Sequence, residues 1–278
     1  ASTMLKIPQI HNRINPALAQ RLDATGAGLE VRNADGEEAD ILIYDAIAWY
    51  AISAEAVARE LSKVKAKTLN VRINSPGGDV FDGVAIHNTI RRFNGRKVIH
   101  IDGIAASAAS FIAMAGDEVI MHQGSFMMIH NAEAIVMGDH RTMREVADVV
   151  DKITGSIAGL YARRTEKDAD EIRLLMDAET WFTDQEAVEF GLADRIDEDT
   201  PAVTNDFDLT AFRNLPDQVK SLMSPRAREK ALRDAGLSRS EAKKSIAEHR
   251  DAEQRDAAAA MVEMFRNGVM SILEARKL

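Results

Sequence analysis

The sequence predicts an α/β protein, a parallel-rich sheet covered by helices, with a small helical extension on its C-terminal side. Three observations carry that prediction. Short β-rich runs alternate with segments of helical period between residues 41 and about 197. Hydrophobic residues make up 46% of the 278, ample for a core, beside an ordinary 28% of charged residues. From residue 225 the chain turns Ala- and charge-rich and loses the aromatics that a substantial core needs.

The elements follow in order. Residues 1–38 read as irregular, with "NADGEEAD" (33–40) as a turn bearing a solvated charge cluster. "ILIYDAI" (41–47) and "TLNVRIN" (68–74) read as strands, and the segment between them has helical spacing with Ser53 as N-cap and Glu55 in the first turn. "SPGGD" (75–79) turns the chain into a helix that sends Val80, Phe81, Val84, Ala85, Ile86, Ile90 and Phe93 toward the core. "RKVIHID" (96–102) is a strand, "GIAASAASFIAMA" (103–115) a helix, "DEVIM" (117–121) a strand and "SFMMIH" (125–130) another apolar run. Residues 141–164 form an amphipathic helix longer than the usual three to four turns, one that protrudes or meets another subunit, or lies on a monomer's surface.

A shorter helix begins at Asp168, with Glu171 as a capping-box match. Another occupies "TDQEAVEFG" (183–191), boxed by Thr183 and Glu186 and stopped by Gly191. The chain thus divides into an irregular N-terminal segment (1–38), a main domain (39–197), an acidic, Pro-containing linker (198–224) and a helical extension (225–278). Strand–helix alternation with right-handed crossovers makes the main sheet parallel-rich.

Composition narrows the chemistry. With no cysteine, disulfides, thiolate nucleophiles and thiolate-bound zinc are excluded. No run of about 18 apolar residues and no signal peptide is visible, so no membrane partner is expected and cytoplasmic residence is the default. The net charge is −9, and residues 201–278 carry 14 Lys/Arg against 12 Asp/Glu, so the acidic excess belongs to the main domain. That balance speaks against a nucleic-acid groove. No HExxH and no tight His/Asp/Glu triad suggests a metal, and no cofactor is expected.

Four places hold reactive groups. In "INSPGGDV" (73–80) adjacent glycines between strand and helix leave backbone N–H groups open to developing negative charge. In "GIAASAASFIAM" (103–114) the helix is expected to start near residue 105 or 106, where only the first amides lack an internal partner. The Ala108 amide, next after Ser107, is therefore free for an oxyanion, whereas the Phe111 amide, next after Ser110, is bonded to the Ser107 carbonyl. Ser107 is thus the candidate nucleophile, and Ser110 a packed hydroxyl bonding back to a helix carbonyl. Of seven histidines, His130 ends a buried run and opens a loop, the place for a general base. Asp177 and Glu179, two apart in "MDAETWF", would face one side of an extended segment, and either suits an orienting acid.

Taken together, "RINSPGGDVFDGVAIHNTI", "GIAASAASFIAMAG", "MMIHNA" and "ETWFTDQEAVEFGLAD" resemble the Clp protease proteolytic subunit (ClpP) family of serine peptidases, whose fold is the ClpP/crotonase-like repeat of β-β-α units. The resemblance covers roughly residues 40–197, and is nearer to the phage-encoded head-maturation branch. It implies Ser107 as nucleophile, His130 as general base, the amides of Gly78 and Ala108 as the oxyanion hole, and Glu179 at the family's aspartate position, with Asp177 as the fallback. It further implies a ring-shaped homo-oligomer joined through a long helix, here residues 141–164. The expected function is a serine endopeptidase that cleaves phage scaffold or capsid proteins in the host cytoplasm or prohead. A Clp-type housekeeping subunit fed by an ATPase unfoldase is the alternative. A non-catalytic scaffold-binding protein is the reading from another class, and a crotonase-like enzyme a further one that no CoA-binding loop supports.

Overall fold

The computed structural model describes residues 29–202, 207, 209, 212–216, 218–219, 240 and 243. The chain divides into two compact units, Ala1–Asn214 and Leu215–Leu278. In the second, the described residues 218, 219, 240 and 243 are helical, while the rest of the expected extension, like residues 1–28, lies outside the described residues.

In the first unit the strands are β1 (Leu29–Arg32), β2 (Glu38–Ile43), β3 (Thr68–Ser75), β4 (Arg96–Ala106), β5 (Glu118–Gln123), β6 (Phe126–Ile129), β7 (Thr180–Thr183) and β8 (Arg195–Pro201). The helices are α1 (Ala54–Leu61), α2 (Val80–Arg91), α3 (Ala108–Ala113), α4 (His140–Thr165), α5 (Ala169–Asp177) and α6 (Asp184–Phe190). Strand order is β1-β2-β3-β4-β5-β8, with β6 paired to β4 and β7 to β6. From β2 to β8 every neighbour on that path is parallel, and only β1 and β7 join antiparallel. The mixed α/β fold with a parallel-rich sheet is therefore present.

Local chemistry explains the boundaries. Ser53 caps α1 by accepting from the Ala56 amide at 3.2 Å, and Thr183 and Glu186 close the expected capping box on α6 before Gly191 ends it at φ 92°. Three expectations are corrected. Residues 29–32, read as irregular, form β1 against β2, and Arg195–Pro201 carries strand into the stretch read as linker. At the N-terminus of α5, Asp168 accepts from the Asp170 amide at 2.8 Å, a local cap with no part for Glu171. On α2, Ile86 and Ile90 are fully buried, but Phe81 and Ala85, one turn apart, face solvent.

The correction that matters most concerns residues 103–106. These small residues continue β4 instead of starting a helix, because β4 changes partners along its length. Val98–Ile101 pairs with β5, and Ile104–Ala106 pairs with β6. Helix α3 starts only at Ala108, with Ser107 as the hinge between strand and helix.

Alternation along the central strands sorts the sheet's two faces. Leu69, Val71, Ile73, Ile99, Ile101, Val119 and Met121 are wholly buried in the core. The other face carries Arg72, His100, Asp102 and His122. The Arg72 guanidinium donates to both oxygens of the fully buried Asp102 at 2.8 and 2.7 Å, and the Tyr44 hydroxyl donates to the same carboxylate. Burial, then the hydrogen bond to Asp102, pushes the Tyr44 phenol up to about 12, and burial pushes His100 down to about 4. Asp102→Asn removes one partner of a buried ion pair, and is expected to cost about 3 kcal/mol or more of unfolding free energy. Urea denaturation reads this directly, and an unchanged midpoint would mean that the pair adds nothing.

Candidate active site

Because β4 and β6 are parallel and in register (Ala106↔Met128), the residues that follow them emerge side by side at the carboxyl ends of the strands. The Ser107 amide donates to the Met128 carbonyl at 3.1 Å, and His130 lies two residues further along. Across the gap, His130 Nε2 and Ser107 Oγ are 2.7 Å apart. Ser107 has φ 54° and ψ −121°, a conformation rare for any residue but glycine. Its hydroxyl makes no cap bond to α3 and so remains available to the imidazole.

The strained turn at Ser107 is held from outside by the glycine loop. A Cβ on Gly77 (φ 87°) would lie 2.4 Å from the Ala106 carbonyl oxygen and 2.7 Å from the Ala108 nitrogen. Only glycine lets β3's exit pass this close to β4's. Ser75 anchors the loop, donating its hydroxyl to the Asp45 carbonyl at 2.7 Å and accepting from the Gly77 amide at 3.1 Å. Ile47 anchors the other side, its amide donating to the Gly77 carbonyl and its carbonyl accepting from Asp79 at 2.8 and 2.7 Å. In that parallel bridge the N–H of Gly78 itself points away from Ile47. Among the described residues neither the Gly78 nor the Ala108 amide has a hydrogen-bond partner. The Ala108 amide is the first of α3, and Gly78 follows the Gly77 that packs against Ser107.

Ser110 has the packing role expected of it. Its hydroxyl donates to the Ser107 carbonyl at 2.6 Å and lies 2.7 Å from the buried Tyr161 hydroxyl on α4. The acidic residues differ from expectation. Asp177 ends α5 and Glu179 sits in the left-handed region at φ 49°, so the segment is a helix end and a turn, and the two carboxylates diverge. Asp177 accepts from Asn131 Nδ2 at 2.6 Å, which steadies the loop after His130. Glu179, almost fully buried, accepts from the Asn214 amide at 2.7 Å. Among the described residues no hydrogen bond joins Glu179 to His130, although its charge is felt there. Burial lowers the imidazole's proton affinity, Glu133 and then Glu179 oppose that, and Arg213 adds to it.

Sequence reasoning missed Phe212 and Asn214. Phe212 packs edge-on against His130, with ring centres 5.9 Å apart. Both residues lie in the stretch read as a linker, and no local pattern marks a residue whose role is set by distant partners.

A family model described as Clp protease matches residues 32–200. An ATP-dependent Clp protease proteolytic subunit of Pleurastrum terricola is 36% identical over 133 residues, 47% of this chain and 67% of that protein. One of Chlorella vulgaris is 31% identical over 141 residues, 50% of this chain and 70% of that protein. One of Bacteroides thetaiotaomicron is 29% identical over 134 residues, 47% of this chain and 60% of that protein. These relatives favour the Clp-type alternative over the expected phage head-maturation role.

Proposed function

The chain belongs to the Clp protease family and is a peptidase of that family, and on that premise we propose that it is a serine endopeptidase acting as a Clp-type proteolytic subunit with an ATPase unfoldase. The observation that carries the serine chemistry is the 2.7 Å contact between His130 Nε2 and Ser107 Oγ. His130 takes the Ser107 proton as Oγ attacks the scissile carbonyl, and the Gly78 and Ala108 amides receive the oxyanion. The imidazolium then protonates the leaving amine, and water, activated by the same histidine, hydrolyses the acyl-enzyme. Glu179 takes the orienting role, with Asp177 as the fallback.

Self-association fits the form of α4. Its C-terminal half buries Thr154, Ile157, Ala158 and Tyr161, whereas its N-terminal half exposes Met143 and Val149, close in sequence to the exposed Ile135 and Met137. Exposed apolar residues in such number favour a protein interface, and the interface proposed is that of a homo-oligomeric ring in the cytoplasm. A second reading, the phage head-maturation protease, draws on the residues beyond the family match, 201–278.

Hydrolysis of an unfolded protein substrate, measured with and without a Clp-type ATPase and ATP, tests the proposal. Stimulation is expected, whereas ATPase-independent cleavage of a coexpressed capsid or scaffold protein would favour the second reading. The same assay should show pH dependence. A base lowered from the ordinary 6.5 stays neutral to lower pH, so activity is expected to persist below 6.5 and fall only as His130 protonates. An acid limb above 6.5 would contradict the assigned environment.

A further inference from the structure

Residues 212–214 lie beyond the family match yet rest directly on the candidate site. The Phe212 ring stands edge-on both to the His130 imidazole at 5.9 Å and to the Trp181 indole at 5.6 Å. The Asn214 main-chain N–H donates to Glu179 Oε1 at 2.7 Å, and its side-chain Nδ2 donates to the Ala178 carbonyl at 2.5 Å. Between them, Arg213 pairs with Glu133 at 3.1 Å.

These contacts fall on one side of the site. The Ser107–His130 contact is intact, while the carboxylate that would accept the imidazole N–H is engaged by a backbone amide two residues from the ring covering that imidazole. Arg213 contributes a positive charge near His130, and this opposes the imidazolium that must form as Ser107 attacks. A segment that only filled space would have no reason to place an aromatic ring on the base and an amide donor on its acid together.

We infer that residues 212–214 form an autoinhibitory strap that keeps Glu179 from His130, and that its release completes the catalytic set. The inference rests on the serine-peptidase reading above. Release biases a two-state equilibrium, so weakening the strap raises the competent fraction in proportion.

The test is the rate at which a fluorophosphonate probe labels the full chain. Phe212→Ala combined with Arg213→Ala is expected to label, and to cleave a small peptide, about tenfold faster than wild type. Phe212→Leu, which keeps the apolar volume but removes the ring, is expected to lie in between, and it carries the test if the double variant does not fold. Labelling at the wild-type rate or slower in folded variants, with the wild type labelled at Ser107, overturns the strap and leaves the peptidase standing. Absence of labelling in wild type and variants alike removes the peptidase reading and the strap with it.

Discussion

Ser107→Ala is expected to abolish peptide hydrolysis and fluorophosphonate labelling, whereas Ser110→Ala keeps both. The two serines stand one helical turn apart among the same small residues, so the contrast comes from backbone position. Ser107 occupies the hinge between β4 and α3, with its hydroxyl 2.7 Å from an imidazole and a free amide next to it. Losing a nucleophile that works with its base removes roughly 10⁴- to 10⁶-fold in turnover, down to what binding and oxyanion donors supply alone. Ser110 is wholly buried, and its hydroxyl bridges the Ser107 carbonyl and the Tyr161 hydroxyl. Replacing it leaves a buried phenol without that partner, a loss of about 1–3 kcal/mol in stability, while the catalytic atoms keep their positions. Mass spectrometry of labelled protein separates the two results. Wild-type labelling of the Ser107→Ala protein would move the nucleophile elsewhere.

The main sheet was legible because its signals are local. Buried strands read as apolar runs, caps read as Ser, Thr or Asp, and the Gly-Gly turn carries its own stereochemistry. Ser107 and His130 were legible as candidates from local signals too, Ser107 by the unpaired amide expected after it and His130 by its place at the end of an apolar run. The start of α3 was not. Residues 103–106 are small enough for a helix, and only the long-range pairing of β4 with β6 makes them strand. The backbone around the candidate orienting acids differs from expectation for a related reason. Two residues apart on an extended chain share a face, but a left-handed Glu179 just past a helix end breaks that rule, and its carboxylate is met by the Asn214 amide from 35 residues away. The polar face of the sheet followed the same pattern, since the partnership of Arg72, Asp102 and Tyr44 exists only once three strands are aligned.

Gly78→Ala is expected to lower turnover by about 10²- to 10³-fold, the cost of one oxyanion donor, and to destabilise the fold as well. A Cβ at this position would lie 2.1 Å from the Ile47 carbonyl oxygen, backbone that is itself bonded to Asp79, and φ is 144°, where L side chains are strained. Relief requires the loop to back away from Ile47, and that movement carries the Gly78 amide off the point where the oxyanion would form. Gly124→Ala is the control. It is also left-handed, at φ 81°, but the nearest atom to its Cβ would be the Ala202 Cβ at 3.9 Å. Backbone strain alone is expected there, about 1 kcal/mol or somewhat more, with turnover unchanged. If both variants lose the same stability and both keep their activity, the Gly78 amide does not serve the oxyanion. If Gly78→Ala alone loses turnover while still binding substrate, the loss lies in the transition state, because a misplaced donor weakens the charged intermediate far more than the neutral peptide that precedes it.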